Sequence, residues 1–247
     1  MKTRIDKLLV ERKLTPSRER AQALVLAGRV LVNGQKVEKA GAGVDSEAEI
    51  RLLGEDQKYV SRGGLKLEAA LRHLNVDVTG KVCMDVGAST GGFTDCLLQH
   101  GAARIIAVDT GYGQIDLRLR QDARVRLLEK TNARYLKQQD IGEDVDVVVV
   151  DVSFISATLV LPAVITSAFR EATRTGKQII VLVKPQFEVG RERVGKGGIV
   201  RDEAAQAEAV EKVRTTLKEL GCGRTEMMES PILGAEGNRE FLLYGVF

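Results

Sequence analysis

The chain of 247 residues is poor in the side chains that build disulfide frameworks and metal clusters. It has no tryptophan, two histidines and only three cysteines, Cys83, Cys96 and Cys222. The cysteines are odd in number, widely spaced and form no Cys-x-x-Cys pair, which argues against a disulfide framework or a structural zinc site. We therefore expect a reducing, cytoplasmic location and no bound metal.

Long apolar runs are also missing. The longest are short, as in Val147–Val150 and Ile179–Val183, and the first residues, Met1–Lys7, are charged without an apolar core. A helix that spans a bilayer needs about 20 apolar residues, and a signal peptide needs roughly 7–15. The sequence therefore predicts neither a membrane span nor an export signal. With 44% hydrophobic residues the chain can still bury a sizeable core.

Positive charge is concentrated at the start of the chain. Residues 1–39 carry ten Lys and Arg against four Asp and Glu, although the net charge of the whole chain is only +3. A basic module on a mildly acidic body favours binding to a polyanion. A solvated charged face is the alternative that charge alone would favour.

Residues 1–58 predict a small α+β domain. Two short helices are expected before residue 29, from apolar residues at helical spacing and from Gly28, which ends the second helix. Val30–Val32 and Lys36-Val37 flank Asn33-Gly34, and this dipeptide favours the type I′ turn of a hairpin. Ile50–Leu52 can add a further strand.

A resemblance to a known RNA-binding domain follows from residues 2–53. The segments that carry it are Arg4-Ile-Asp-Lys-Leu-Leu9, Ser17-Arg18, Leu26-Ala-Gly-Arg-Val30 and Val32-Asn-Gly34. They resemble the RNA-binding domain of ribosomal protein S-four, the alpha-L motif, which implies structured RNA recognised through phosphates and shape. The basic residues that would contact RNA are Arg4, Lys7, Arg18, Arg20 and Arg29. A small packing module with a solvated basic face is the alternative.

Residues 59–247 alternate strand and helix patterns, which predicts an α/β domain with a Rossmann-like, doubly wound parallel sheet and helices on both faces. The predicted strands are Val82–Val86, Arg104–Val108, Val125–Glu129, Val145–Asp151, Gln178–Val183, Arg224–Met228 and Phe241–Val246. The predicted helices are Phe93–His100, Gly113–Gln121, Leu159–Arg170 and Asp202–Leu220. Ligands of such sheets bind at the carboxyl ends of the strands. Polar residues stand at four of these ends, namely Asp85, Asp109, Asp151 and Lys184.

A glycine-rich turn between the first of these strands and its helix predicts a cofactor site. Asp109, 24 residues after Asp85, can accept hydrogen bonds from both ribose hydroxyls of an adenosyl cofactor. A dinucleotide dehydrogenase would place an acid similarly, so an NAD-dependent oxidoreductase stays open. The spacing Gly87-x-x-x-Gly91-Gly92 is not Gly-x-Gly-x-x-Gly, however, and Asp85 suits a methionyl amine better than a pyrophosphate.

The pattern Asp-Val-Gly-Ala-Ser-x-Gly-Gly-Phe-Thr resembles motif one of S-adenosylmethionine-dependent methyltransferases, specifically the FtsJ-like ribose methyltransferases. This resemblance implies S-adenosyl-L-methionine as the cofactor, against the alternative of a tight structural turn. The implied cofactor-binding residues are Asp85, Gly87, Ser89, Gly91, Gly92, Phe93, Asp109 and, as an adenine-side contact, Asn132.

Lys66, Asp151, Lys184 and Glu240 each resemble one member of the Lys-Asp-Lys-Glu tetrad of FtsJ-type 2′-O-methyltransferases. The resemblance implies that Lys184 is the general base, that Lys66 and Asp151 tune and orient it, and that Glu240 holds the lysines or the ribose. Each has a structural alternative. Lys66, expected on the side of its helix opposite the apolar stripe, is then a solvated residue, and Asp151 is a helix cap. Lys184 and Glu240 are then charges at a strand end and on an edge strand.

Other residues near these strand ends have two possible uses. Gly190–Lys196 fits the first part of a Walker A pattern, but Gly197 stands where a Ser or Thr hydroxyl is needed, so we interpret it as a flexible basic loop rather than a P-loop. Tyr112 and Phe154 are candidates for stacking on an extruded base, with packing in the core as the expected alternative for Phe154.

The combination of both domains with Tyr-Val-Ser-Arg-Gly-Gly, Asp-Val-Ser-Phe-Ile-Ser and Lys-Pro-Gln-Phe-Glu resembles the TlyA family over nearly the whole chain. Its members are also labelled hemolysins. The resemblance implies 2′-O-methylation of cytidine in small- or large-subunit ribosomal RNA, or in both. Asp151 is followed by Val-Ser-Phe and Lys184 by Pro185, which departs from FtsJ and leaves the target nucleotide open. A non-catalytic RNA-binding assembly factor and, last, a membrane-acting hemolysin are the alternatives.

Overall fold

The computed structural model describes residues 2–15, 17–53, 58–234 and 236–247. The chain divides into two compact units, Met1–Asp56 and Gln57–Phe247. They are termed the basic module and the body below.

The described residues of the basic module form two short helices and five short strands. Its elements are β1 (Lys2–Arg4), α1 (Ile5–Glu11), α2 (Arg18–Leu26), β2 (Val30–Val32), β3 (Gln35–Lys36), β4 (Gly43–Asp45) and β5 (Ile50–Leu52). The predicted hairpin is confirmed, since β2 pairs antiparallel with β3 and both Asn33 and Gly34 have positive φ. The predicted strand β5 pairs with β2 on its other edge. Ile5, Leu9 and Val25 are among the fully buried side chains that join both helices to this sheet.

The body is built on a seven-stranded sheet. Its strands are β6 (Val82–Val86), β7 (Arg104–Val108), β8 (Val125–Leu128), β9 (Val147–Val150), β10 (Gln178–Val183), β11 (Arg224–Glu229) and β12 (Phe241–Val246). Its helices are α3 (Gly63–His73), α4 (Gly92–Gln99), α5 (Leu117–Gln121), α6 (Gln138–Ile141), α7 (Leu161–Ala168), α8 (Pro185–Glu188) and α9 (Glu203–Glu219). Short 3-10 turns are formed by Ala133–Tyr135, Ala157–Leu159, Glu171–Thr173 and Arg191–Arg193.

The predicted strands and the Rossmann-like sheet are confirmed, and the parallel direction expected of the strands holds for all of them except β12. The order is β11-β12-β10-β9-β6-β7-β8, and β12 runs antiparallel to both of its neighbours. No helix occurs among the described residues between β11 and β12, and a strand that returns without a crossover helix pairs antiparallel. In this register Val183 pairs with Phe241, so the start of β12 lies at the carboxyl ends of the parallel strands.

Helices cover both faces of the sheet, as predicted. Alternate side chains of each strand point to opposite faces, so Met84 and Val86 pack into one core with α7 and α9. Cys83 points the other way, into a second core with α3 and α4. No helix of the described residues is both long and apolar enough to cross a membrane.

The ends of some helices differ from the prediction. The helix expected at Gly113–Gln121 begins only at Leu117, because the Asp116 carboxylate accepts a hydrogen bond from the backbone N–H of Arg118 and caps it there. The helix expected at Leu159–Arg170 is the shorter α7, preceded by the 3-10 turn Ala157–Leu159.

Candidate active site

The glycine turn after β6 brings three chain segments together. At Gly87, where φ is +87°, a Cβ atom would lie 2.3 Å from the backbone oxygen of Asp151. At Gly92, the first residue of α4, it would lie 2.1 Å from Ser61 Oγ. Gly87 must be glycine, because its Cβ would meet the backbone where the ends of β6 and β9 approach each other. At Gly92 the nearest atom is a serine side-chain oxygen, and the backbone nitrogen of Gly64 at the start of α3 lies 3.1 Å from the Cβ position.

Asp85 lies beneath this turn and is fully buried. Its Oδ2 accepts a 2.6 Å hydrogen bond from Thr94 Oγ1, and its buried Oδ1 has no partner among the described residues. Burial raises the pKa of Asp85 to about 7, and the charge of Asp151 adds to the rise. The hydrogen bond from Thr94 lowers the pKa but does not outweigh burial. Asp85, which was predicted to bind the cofactor, therefore lies beneath the glycine turn and not on its surface. Thr94 was not predicted, although it belongs to the same motif.

Two cavities open at the carboxyl ends of the strands. The first, of about 360 Å³, is termed the acceptor cavity, and the second, of about 410 Å³, the cofactor cavity. The predicted site residues that line the acceptor cavity are Lys66, Gly87, Ser89, Gly92, Phe93, Asp151, Lys184 and Glu240. Those that line the cofactor cavity are Gly87, Ser89, Asp109, Asn132 and Asp151. Asp85 and Gly91 line neither, since Asp85 is buried and Gly91 packs against Leu119.

Asp109 is fixed by the backbone around it. Its Oδ2 accepts a hydrogen bond of 2.7 Å from the N–H of Ser89, and its Oδ1 accepts one of 2.6 Å from the N–H of Gly111. Each carboxylate oxygen has a second lone pair, so both can still accept from a ligand in the cofactor cavity. Asn132 Oδ1 accepts from the N–H of Arg134 and caps the following 3-10 turn.

The two members Asp151 and Lys184 form an ion pair. Lys184 Nζ lies 2.6 Å from Asp151 Oδ1 and donates a 2.7 Å hydrogen bond to Ser153 Oγ. Asp151 is not a helix cap, since Ser156 caps the following 3-10 turn. Sequence reasoning gave Ser153 no role, although its position two residues after Asp151 brings it back to the same cavity.

Lys66 and Glu240 form a second ion pair, and here two of the structural alternatives are wrong. The two side chains contact each other and are 11% and 4% exposed. Lys66 lies one helical turn before the buried Ala70 and on the same face, so it is not on the solvated side of α3. Glu240 precedes β12, which is an inner strand and not an edge strand.

Phe154 projects into solvent, so the expectation of core packing is wrong. It is 92% exposed, has a positive φ of 65° and lines both cavities. Its ring lies 5.4 Å from that of Phe187, tilted by 53°. Tyr112 is also exposed, with Lys130 Nζ 4.6 Å above its ring.

The basic segment Gly190–Lys196 has no P-loop geometry. It forms a 3-10 turn, and the next helix, α9, begins only at Glu203. Among the residues that the structure describes, no cluster of three His, Cys, Asp or Glu side chains could hold a metal ion.

In the basic module, two of the predicted RNA contacts converge on one buried acid. Arg4 and Arg18 both donate to Asp6, which is fully buried, and Gln22 adds a further hydrogen bond. The Arg4 guanidinium holds the pKa of Asp6 far below its ordinary value despite burial. The two guanidinium groups remain about half exposed. Lys7 is paired with Glu11 at 3.4 Å.

Arg20 and Arg29, the other predicted contacts, are partly buried. Arg29 Nε donates a 2.8 Å hydrogen bond to the backbone oxygen of Leu53. The backbone N–H of Arg20 donates to Ser17 Oγ at the start of α2. Sequence reasoning missed Asp6, whose signal was an acid between apolar residues of the first helix.

Comparison with known proteins agrees with this architecture. Residues 59–247 match the FtsJ-like methyltransferase family, and residues 3–50 match the S4 domain. The chain is 43% identical over 244 residues to the 16S/23S rRNA (cytidine-2'-O)-methyltransferase TlyA of Mycobacterium tuberculosis. The aligned region covers 98% of this chain and 89% of the relative. The chain is 39% identical over 242 residues to hemolysin A of Brachyspira hyodysenteriae, at 98% coverage of both.

A solved structure of a protein from Streptococcus thermophilus is 43% identical to this chain. It superposes with a TM-score of 0.74 over 99% of this chain and 88% of the other. The predicted resemblance is therefore confirmed: the chain belongs to the FtsJ-like methyltransferase family, and its relatives within that family include the TlyA proteins.

Proposed function

We propose that this protein transfers the methyl group of S-adenosyl-L-methionine to the 2′-hydroxyl of a cytidine in ribosomal RNA. The observation that carries the proposal is the acceptor cavity, where the ion pairs Lys184–Asp151 and Lys66–Glu240 stand together at the carboxyl edge of the sheet. The name of the Mycobacterium tuberculosis relative supports cytidine and both subunits as targets.

The residues around the glycine turn suit S-adenosylmethionine. The remaining acceptor capacity of Asp109 would meet its ribose hydroxyls. Asp85, fully buried beneath the turn, would act on the amine of the cofactor through the turn and not by direct contact. Asn132 lines the same cofactor cavity and would contact the adenine. The cofactor supplies an electrophilic methyl group on a sulfonium, whose displacement needs alignment and no metal.

Lys184 would remove the proton of the ribose hydroxyl. The Lys184 ammonium must first release a proton to solvent. The amine then accepts the proton of the ribose hydroxyl, and Asp151 at 2.6 Å stabilises the ammonium that results. Ser153 accepts a hydrogen bond from the same Nζ atom and fixes its direction. A placed base of this kind contributes about 10²–10⁴-fold to a rate. Lys66 and Glu240 would hold the ribose and complete the charged wall of the cavity.

The basic module would bind the structured RNA and set the local concentration of the target at the body. Arg4 and Arg18, oriented by Asp6, would contact phosphates. Phe154, exposed at the edge of both cavities, would stack on the extruded base.

Mapping of 2′-O-methylation in ribosomal RNA after incubation with the wild type and with Lys184→Ala tests the proposal. We expect the modification with the wild type only, while RNA binding survives in the variant. Lys177→Ala is the matched control, because Lys177 precedes β10, the strand that Lys184 follows, and pairs with Asp146 at 2.8 Å away from both cavities. Identical maps for the wild type and Lys184→Ala would refute the catalytic assignment. RNA binding without any methyl transfer would favour an assembly factor, and vesicle leakage without methyl transfer would favour a hemolysin.

A further inference from the structure

The segment 151–157 is held in place by the segment 184–188 that follows β10. The first is termed the acceptor loop because it carries residues of the acceptor cavity. The contacts between the two segments run in sequence order: Lys184 with Asp151 and Ser153, Phe187 with Phe154, and Glu188 with Ser156 and Ala157.

We propose that Glu188 is a positioning residue that fixes the acceptor loop. This inference rests on the methyl transfer proposed above, and it concerns a residue that touches neither cavity. Glu188 would act through Ser156 and Ala157 on the residues that face the acceptor.

The Glu188 carboxylate is buried, and among the described residues its partners are the acceptor loop and one lysine. Its side chain is 2% exposed. Oε1 accepts a 2.6 Å hydrogen bond from the N–H of Ala157, and Oε2 accepts one of 2.5 Å from Ser156 Oγ. Lys212 of α9 balances the charge, with Nζ 3.6 Å from Oε2 and a 2.8 Å hydrogen bond to the backbone oxygen of Glu188. A buried carboxylate persists only with such donors, so its contacts are specific.

The acceptor loop needs this anchor because it contains a strained residue. Phe154 has a φ of 65°, a conformation that a bulky side chain adopts only when its surroundings impose it. The start of the loop is fixed by the sheet, where the N–H of Asp151 donates to the oxygen of Val86 at 2.8 Å. The far end is fixed by Glu188. Release of that end would let Ser153 and Phe154 leave the positions in which they meet Lys184 and the acceptor base.

Glu188→Ala in the full-length protein tests the inference. We expect kcat for methyl transfer to ribosomal RNA to fall roughly 10–100-fold, since a displacement of about 1 Å at a reacting centre can have that effect. The affinity for RNA should stay within about twofold, because Glu188 contacts Ser156, Ala157 and Lys212 within the body. kcat is measured at saturating S-adenosylmethionine, because residues 151–155 also line the cofactor cavity. Glu188→Gln keeps a neutral acceptor for the N–H of Ala157 and should restore most of the rate.

Two further measurements separate positioning from folding. In a Phe154→Ala background, Glu188→Ala should lower kcat much less than in the wild type, whereas a folding defect would lower it by the same factor. Asp140→Ala is the matched control. The Asp140 carboxylate accepts a hydrogen bond from a backbone N–H at the start of a short helix, α6, as Glu188 does at the start of a 3-10 turn. The helix α6 precedes β9, however, and so lies at the edge of the sheet opposite the acceptor loop. Asp140→Ala should leave kcat unchanged.

Amide hydrogen exchange gives a readout that does not depend on activity. Glu188→Ala should speed the exchange of the amides of residues 153–157 and leave those of the sheet unchanged. If the wild type methylates RNA, an unchanged kcat in Glu188→Ala would overturn the inference. Unchanged exchange of the amides of residues 153–157 in that variant would also overturn it. A wild type that methylates no RNA, together with faster exchange in Glu188→Ala, would overturn the proposed function and leave the anchoring role of Glu188 supported.

Discussion

Asp85→Asn should make the protein more stable at neutral pH, and the gain should grow with pH. Asp85 is fully buried, and one of its oxygens has no partner in the part of the chain that the structure describes, so its ionised form is disfavoured in the folded protein. Burial raises its pKa from 3.8 to about 7. The asparagine side chain has nearly the same shape and never ionises.

The size of the effect follows from linkage between protonation and folding. A carboxyl group whose pKa is raised on folding contributes fully to stability while the pH is below its pKa in the unfolded chain. This contribution is lost as the pH rises through its pKa in the folded protein. A rise of about three units corresponds to about 4 kcal/mol, at roughly 1.4 kcal/mol per unit. The difference in the free energy of unfolding between Asp85→Asn and the wild type should therefore increase by about 3 kcal/mol between pH 4 and pH 7, and the rest of the change lies outside this window.

Urea unfolding of both proteins at several pH values between 4 and 8 measures this difference. The asparagine amide would leave a donor unpaired, at a cost of about 1–3 kcal/mol, but this cost does not change with pH and drops out of the slope. Asp146→Asn is the control. Burial alone would raise the pKa of Asp146, but hydrogen bonds from Lys177 and from the N–H of Val82 outweigh burial and lower it. The difference in unfolding free energy between Asp146→Asn and the wild type should therefore stay nearly constant above pH 4. Parallel curves for the wild type and Asp85→Asn would refute the reasoning.

Three further substitutions test other parts of the site. Gly87→Ala should destabilise the protein by about 2–5 kcal/mol, because φ is +87° and the Cβ would lie 2.3 Å from a backbone oxygen. The control Gly113→Ala, at φ +70° in open space, should cost only about 1–2 kcal/mol. Equal decreases in melting temperature for the two variants would contradict this. Lys66→Met should cost about 3–5 kcal/mol by leaving Glu240 buried and unpaired, and adding Glu240→Leu should recover the melting temperature without recovering methyl transfer. If the double variant methylates RNA, the pair is only structural. Phe154→Ala should change stability by less than about 0.5 kcal/mol, as expected for an exposed side chain, while lowering methyl transfer to RNA; an unchanged rate would exclude stacking on the base.

The order of the strands along the chain could be predicted because each is a short apolar run bounded by turn residues. The direction of β12 could not, since the apolar pattern of Phe241–Val246 is the same in a parallel and an antiparallel strand. The consequence for the site is large. The reversed direction is what brings Glu240 to the same edge as Lys184, whereas a parallel β12 would have carried Glu240 to the opposite edge.

The side-chain positions that were predicted wrongly have separate causes. The apolar stripe of α3 predicts Lys66 on the opposite side of the helix, although its spacing of four residues from Ala70 places both on one face. For Phe154, by contrast, the sequence contains no such signal. A phenylalanine with positive φ is rare, and its exposure depends on contacts with Phe187 and on the anchoring of Ser156 and Ala157, which lie more than 30 residues from Glu188.

The two ion pairs of the acceptor cavity are not equivalent, and their exposure bears on which lysine serves as the base in the proposed reaction. A base that takes a proton from the acceptor must return it to water before the next turnover. Lys66 and Lys184 are about equally exposed, at 11% and 12%, so the difference lies in their partners, and the partner of Lys66, Glu240, is only 4% exposed. Asp151 is 23% exposed and Ser153, which accepts from Lys184, is exposed. The proton therefore has a path from Lys184 to water through its own hydrogen-bond partners, and this asymmetry favours Lys184 as the base and Lys66 as a fixed charge.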